Sequence, residues 1–167
     1  MELLCFSSDR NSEQCYKDED AALSERLWLL VHSDLGAYLI GAWYRPPVQG
    51  EVDSIRSLRQ EWSEINGEAV GTIILGDMNI HHVKWLKKSN RNSAEGEELH
   101  QFCKDTGMQQ IVQEATRGKY KLDLVLTDVE EAKCKVLPPL ADHNCVLVHF
   151  DLPVPGNETR ELSLIHI

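Results

Sequence analysis

The sequence predicts a layered α/β or α+β domain. Two observations carry this: short β-branched runs that are apolar on successive positions, and two segments of helical spacing interleaved among them. A chain of 167 residues with 42% apolar content is long enough for one sizeable core and too short for two independent domains.

Leu27–Val31 and Tyr38–Tyr44 read as strands joined by Ser33-Asp34-Leu35-Gly36, which is a hairpin signature. Arg45-Pro46-Pro47 ends the second strand, because proline cannot donate to a ladder. Ile55, Leu58, Trp62 and Ile65 recur at helical spacing between Asp53 and Ile65, with Asp53 or Ser54 as the expected cap. Thr72-Ile73-Ile74-Leu75 reads as a fully buried strand ended by Gly76. A second helix is expected from about Ser93 to Asp105, burying Leu99, Phe102 and Cys103, with Gly107 past its end. Strands follow around Leu122–Thr127, Lys133–Leu137 and Cys145–Phe150.

The expected organisation is a flexible polar stretch over 1–24, a folded domain over 25–152 and a tail over 153–167 read as non-native sequence. Ser7–Asp20 in particular reads as a mobile loop. No apolar run reaches the length of a membrane span, and Met1–Phe6 lacks the basic start of a signal peptide. The five cysteines are an odd number with no CxxC spacing. Reduced thiols and a nuclear or cytoplasmic, non-secreted location are therefore expected. The net charge of −10 opposes polyanion binding unless a divalent cation neutralises a carboxylate-lined site.

Three segments place an acid at or inside an apolar strand. In Ile73–Asn79 the period of two puts Asp77 and Asn79 on one side, where a carboxylate and an amide can orient a water and accept its proton. Turn chemistry accounts for Gly76, Asp77 and Asn79 equally well. In Lys121–Thr127, Asp123 is either paired within a hydrophobic strand or exposed on an edge strand. Asp142-His143 precedes the strand Val146-Leu147-Val148 and offers an imidazolium to a phosphate, or is an ordinary loop pair. Oxygen donors of this kind suit Mg2+, with Mn2+ as an alternative, and no Gly-rich phosphate loop or serine elbow competes. Adjacent His81 and His82 point to opposite faces of an extended segment and are poor co-ligands. Lys84, Lys87, Lys88 and Arg91 form a basic patch that serves DNA-backbone contact or a solvated loop.

Trp43-Tyr44-Arg45-Pro46-Pro47, Gly76–His82 with Trp85, Thr116-Arg117-Gly118, Leu122–Asp128 and Asp142-His143 occur in this order from about Arg26 to Phe150. Together they resemble the endonuclease/exonuclease/phosphatase superfamily, and within it the apurinic-type endonuclease domain of non-LTR (LINE-type) retrotransposons. The resemblance implies a four-layer, DNase I-like fold: a two-sheet β-sandwich flanked by helices. It also implies a Mg2+-dependent enzyme that nicks DNA, without an organic cofactor, within a longer polyprotein carrying a reverse transcriptase. By the same resemblance Asp77 and Asn79 position the attacking water, His143 stabilises the phosphate and Asp123 orients it. Asp142 lies near the metal, with Asp77 as a second candidate ligand, and Tyr44 contacts the phosphate. Arg45, Lys84, Lys87, Lys88, Arg91 and Arg117 are the expected nucleic-acid contacts.

The sequence departs from the family pattern twice. Ala141 replaces a serine, and the N-terminal segment that supplies an asparagine and a metal-binding glutamate has no counterpart among Glu2, Glu13, Glu19 and Glu25. The fold is therefore expected to be incomplete at its N-terminus, and activity impaired. The alternatives are a catalytically dead remnant and another phosphodiesterase or phosphatase of the superfamily.

Overall fold

A computed structural model describes residues 12–17, 25–139, 141–154 and 158–166. In chain order the elements are β1 (Ser12–Lys17), β2 (Glu25–Ser33), β3 (Gly36–Tyr44), α1 (Asp53–Ile65), β4 (Ala69–Asp77), α2 (Ala94–Thr106), β5 (Gln109–Gln110), β6 (Asp123–Thr127), β7 (Lys133–Pro139), β8 (Asn144–Val154) and β9 (Glu158–His166). Six strands form one sheet in the order β1-β2-β3-β4-β6-β5, and β7-β8-β9 form a second. The β3–β4 pair is parallel and the chain crosses between them through α1, whereas the other pairs are antiparallel.

The apolar runs are continuous because the large sheet is covered on both faces. Leu39, Ile74, Leu124 and Leu126 pack with Ile55 and Leu58 of α1 and Leu99 and Phe102 of α2. Their neighbours Ile40, Ile73, Leu75 and Val125 project the other way, onto Val146, Val148 and Phe150 of the second sheet. Alternation therefore assigns each strand residue to one of two cores. The result is a helical layer, a six-stranded sheet and a three-stranded sheet: the expected α/β sandwich, although among the described residues both helices cover the same face of the larger sheet, giving three layers of the expected four.

Several local expectations change. Ser12–Lys17, expected within a mobile loop, forms β1 and pairs with β2. Glu158–His166, expected in an unplaced tail, pairs along the length of β8. Both segments sit where an edge strand leaves backbone donors and acceptors to be satisfied, and composition alone carries no trace of that. The two-residue strand β5 is too short to leave a pattern. Helix α1 is not capped by Asp53 or Ser54: its N-cap position is Val52, and the Ser54 amide donates to Glu51 Oε1 at 2.7 Å. The Ser54 hydroxyl meanwhile accepts from Arg45 Nε at 3.1 Å, so it is not available as a cap. Helix α2 follows its signals: Ser93 Oγ accepts from the Gly96 amide at 3.1 Å, and Gly107 takes the left-handed conformation at φ 76°.

A buried ion pair joins β2 to α1. Arg26 donates from Nε to Glu61 Oε2 at 2.8 Å, from Nη1 to the Ser54 carbonyl at 3.1 Å and from Nη2 to Ser57 Oγ at 2.6 Å. A further Nη2 bond reaches Glu61 Oε1, and Trp28 Nε1 donates to Glu61 Oε2 at 3.1 Å. Burial by itself pushes the Glu61 carboxyl up; the donors from Arg26, Trp28 and Ser57 outweigh it and hold the group below its ordinary value. A carboxylate with a depressed folded pKa stabilises the fold above the unfolded pKa, and that contribution is lost as pH falls. Glu61→Ala is expected to lower unfolding stability by about 3–5 kcal/mol at neutral pH, since it strands a buried guanidinium. The difference between wild type and variant should shrink on acidification below about pH 4. Urea titrations at several pH values check both statements, and a pH-independent difference would contradict the assignment.

Candidate functional site

The expected site residues sit at one end of the six-stranded sheet. β4 ends at Asp77 and β6 begins at Asp123, and the two are direct partners in the antiparallel register. The Asp77–Met78 backbone is pinned from both sides: the Arg45 amide donates to the Asp77 carbonyl at 2.9 Å, and the Met78 amide to the Leu122 carbonyl at 3.0 Å. Gly76 has φ 153°, and a Cβ placed there would lie 1.7 Å from the Trp43 carbonyl oxygen. Only glycine permits this approach of β3, so the Gly76 that reads as a strand terminator is a packing requirement.

Asn79 has φ 49°, a left-handed conformation that asparagine tolerates. Its Nδ2 donates to the Arg45 carbonyl at 2.9 Å, which fixes the amide plane. Asp123 is 1% exposed, and its Oδ2 lies 2.9 Å from His143 Nδ1. The expected orienting contact between Asp123 and His143 is thus present as geometry. Donor atoms of Asp77, Asp123 and His143 all lie within 4.8 Å of one another.

The loop at residues 115–117 brings β6 and His143 together. Thr116 Oγ1 accepts from the Leu122 and Asp123 amides, both at 3.0 Å. The Asn144 amide donates to the Thr116 carbonyl at 2.7 Å, and Asn144 Nδ2 to the Ala115 carbonyl at 3.0 Å. Thr116 and Asn144 therefore position the two halves of the Asp123–His143 pair. Periodicity could not reveal this, because Thr116 sits in an irregular segment, Asn144 is the first residue of β8, and both bond to backbone groups of other segments.

The other expected residues are distributed differently. Tyr44 is 39% exposed at the end of β3, at the level of Asp77. Asp142 stands outside the Asp77–Asp123–His143 group; it is exposed, with Oδ2 2.7 Å from Arg117 Nη2. Arg45, expected as a nucleic-acid contact, is fully buried. Its Nε and Nη2 donate to Ser54 Oγ and to the Val48 and Glu51 carbonyls, so it shapes the proline-rich turn from inside and presents no cation to solvent. Lys84, Lys87, Lys88 and Arg91 are exposed on a loop closed by the Val83 amide, which donates to the Arg91 carbonyl at 3.2 Å. Lys121 went unnoticed in the sequence. It is 2% exposed, its Nζ is 3.5 Å from Gln110 Oε1, and burial followed by the nearby Lys87 and Lys88 pushes its pKa down.

His81 and His82 do face different surroundings. His81 packs edge-on to Tyr120 at 5.4 Å, and burial and Arg91 push its pKa down. His82 is buried with Nε2 2.9 Å from Glu97 Oε2, a contact no spacing rule anticipates. Of the thiols, burial pushes Cys103 up to about 12 and Cys134 up to about 11, which leaves both unreactive.

Residues 38–147 match the family described as endonuclease-reverse transcriptase. The chain belongs to the endonuclease-reverse transcriptase family. The matched span runs from β3 to β8 and holds every residue of the Asp77–Asp123–His143 group. No curated protein matches the sequence. Among solved structures, the endonuclease domain of TRAS1, a telomere-specific non-LTR retrotransposon, superposes with TM-score 0.57 at 15% identity. That match covers 80% of this chain and 64% of the TRAS1 domain, so the chain spans less than two thirds of that relative. An endonuclease/exonuclease/phosphatase family protein from Bacteroides thetaiotaomicron superposes with TM-score 0.52 at 10% identity, covering 93% of this chain and 66% of that one. At such identities the superpositions establish the sandwich fold alone. No helix among the described residues of this family member is long and apolar enough to cross a membrane.

Proposed function

We propose that the chain is a divalent-cation-dependent phosphodiesterase domain that nicks DNA and is encoded together with a reverse transcriptase. The observation that carries this reading is the convergence of Asp77, Asp123 and His143 within 4.8 Å, on the segment flanked by a loop of exposed cations. Like charges directly opposite on a sheet repel, and Asp77 and Asp123 would hold a hard cation whose charge would offset that repulsion. Mg2+ fits such oxygen donors, and when bound it supplies charge neutralisation at the scissile phosphate.

The chain's own residues account for the other requirements. Asn79, its amide fixed by the Arg45 carbonyl, holds the attacking water, and Asp77 accepts the proton. With Nδ1 committed to Asp123, His143 presents Nε2 to a phosphate oxygen and donates to the charge that develops there. Tyr44, exposed at the same sheet end, reaches a neighbouring phosphate. Lys84, Lys87, Lys88, Arg91 and Arg117 contact the DNA backbone, and Asp142, paired with Arg117 in this structure, would be the further carboxylate available to the cation once Arg117 engages a phosphate.

The test is nicking of supercoiled plasmid by the purified chain in Mg2+. His143→Ala and Asp77→Ala are each expected to lower the rate about 10²–10³-fold. An unchanged rate in either variant overturns the site assignment. A second reading, a folded remnant with little or no turnover, is favoured by the ligand set. Glu61 is engaged by Arg26, Glu51 by Ser54 and Arg45, and Glu95 by the Gly50 amide, so none joins the two aspartates. Wild type silent in both Mg2+ and Mn2+ would establish that reading.

A further inference from the structure

We propose that His82, Glu97 and His100 form a second metal site, suited to Zn2+, that clamps the loop following Asn79 onto α2. Their donor atoms lie within 4.8 Å of one another, and His82 Nε2 is 2.9 Å from Glu97 Oε2. Glu97 and His100 are three residues apart on α2, which places them on one face a turn apart. Two imidazoles and one carboxylate are the donors of three-ligand zinc sites that keep a fourth position open. They differ in kind from the two carboxylates and one imidazole at Asp77, Asp123 and His143, which favour a harder cation. Two ligands on a tetrahedral zinc lie about 3.3 Å apart, so the His82–Glu97 pair is close to bonding separation, and the His100 donor lies within 4.8 Å of both.

The site is held from behind. The His82 side chain is 3% exposed, its amide donates to Ser89 Oγ at 3.1 Å, and its carbonyl accepts from the Leu86 amide at 2.7 Å. Trp85 stacks on His100 with ring centroids 4.9 Å apart and planes 15° from parallel, which limits the motion of that imidazole. A Cβ at Gly96 would lie 2.4 Å from the His81 carbonyl, so glycine is what lets α2 approach the histidine segment this closely. Burial, then Lys104 and His82, keep the His100 imidazole below its usual pKa, while the His82 contact holds the Glu97 carboxyl down.

His82 must exchange tautomers to bind. Its Nδ1 accepts from the Trp85 amide at 3.2 Å, which leaves the proton on Nε2 facing Glu97. Ligation at Nε2 would require the proton on Nδ1, where it would oppose the Trp85 N–H; that amide would keep the His82 carbonyl, also at 3.2 Å, as its acceptor, and the ring would turn to part the two donors. The metal-free state is thus satisfied by a histidine–glutamate hydrogen bond, and no charge is stranded when the metal leaves.

The experiment uses the full chain, stripped with chelator and titrated with Co2+, which reports tetrahedral coordination by visible absorption. One equivalent is expected to give tetrahedral bands without thiolate charge transfer, to be displaced by Zn2+ and to persist in Asp123→Asn. Glu97→Gln and His100→Ala should each weaken binding at least tenfold, with metal-free circular dichroism unchanged. Should His100→Ala fail to fold, Glu97→Gln decides alone, because that side chain is 65% exposed. Absent bands, thiolate charge transfer, unchanged affinity in Glu97→Gln or loss of binding in Asp123→Asn would each overturn the proposal. Silence in the nicking assay has no bearing on it.

Discussion

Asp123→Asn is expected to lower plasmid nicking by about 10³–10⁴-fold, the cost seen when a buried aspartate that sets a catalytic histidine's tautomer becomes an amide. The argument rests on position. Asp123 opens β6, is 1% exposed, and meets His143 Nδ1 at 2.9 Å. As a carboxylate it accepts only, so Nδ1 carries the proton and Nε2 is left for the substrate. An asparagine can turn either its carbonyl or its NH2 toward the ring, and the latter inverts the tautomer. Stability should move little by comparison, because the substitution also removes one of two carboxylates that oppose each other across the β4–β6 pair. Single-turnover nicking alongside thermal unfolding separates these effects. A loss below tenfold with an intact fold would show that Asp123 does not orient His143 for chemistry.

Gly76→Ala carries the largest expected structural effect. The φ of 153° alone costs an alanine about 1–3 kcal/mol. The new Cβ would also lie 1.7 Å from the Trp43 carbonyl oxygen and 2.7 Å from its carbon, both backbone atoms that cannot rotate away. β3 and β4 must separate where they are parallel partners, immediately before Asp77. A loss above about 3 kcal/mol, or failure to fold, is expected, with Gly107→Ala as the comparison. Gly107 also has a positive φ, 76°, but open space where the Cβ would go, so only the conformational cost of about 1 kcal/mol should appear. Equal losses in urea titrations would show that the β3 contact is not what requires glycine.

Legibility in the sequence followed the range of the interaction. The β2–β3 hairpin was readable because Ser33 to Gly36 form a local turn whose hydrogen bonds stay within it. Helix α2 was readable for the same reason, from a serine at one end and a left-handed glycine at the other. The failures are strand partnerships across the fold and side-chain bonds within the irregular turn before α1, which no period or cap rule describes. Arg45 looked like an exposed cation beside a proline turn until β3, α1 and the Glu51 carbonyl closed around it. Glu51 displaced the expected caps because its carboxylate reaches Ser54 from outside the helix. β1 and β9 are strands by virtue of what lies beside them.

What the sequence determined by itself is both helices and the strands β2, β3, β4, β6, β7 and β8, their apolar faces, and the order of Asp77, Asn79, Asp123, Asp142 and His143 along the chain. Period, turn chemistry and composition are local properties, and they survive in the unfolded chain. Only the tertiary structure decided that Asp77 faces Asp123, that Asp123 holds His143 while Asp142 pairs with Arg117, and that His82 meets Glu97 and His100. Each of those depends on which strands become neighbours and in what register. That choice is made by burying both faces of the central sheet at once, and no segment encodes it alone.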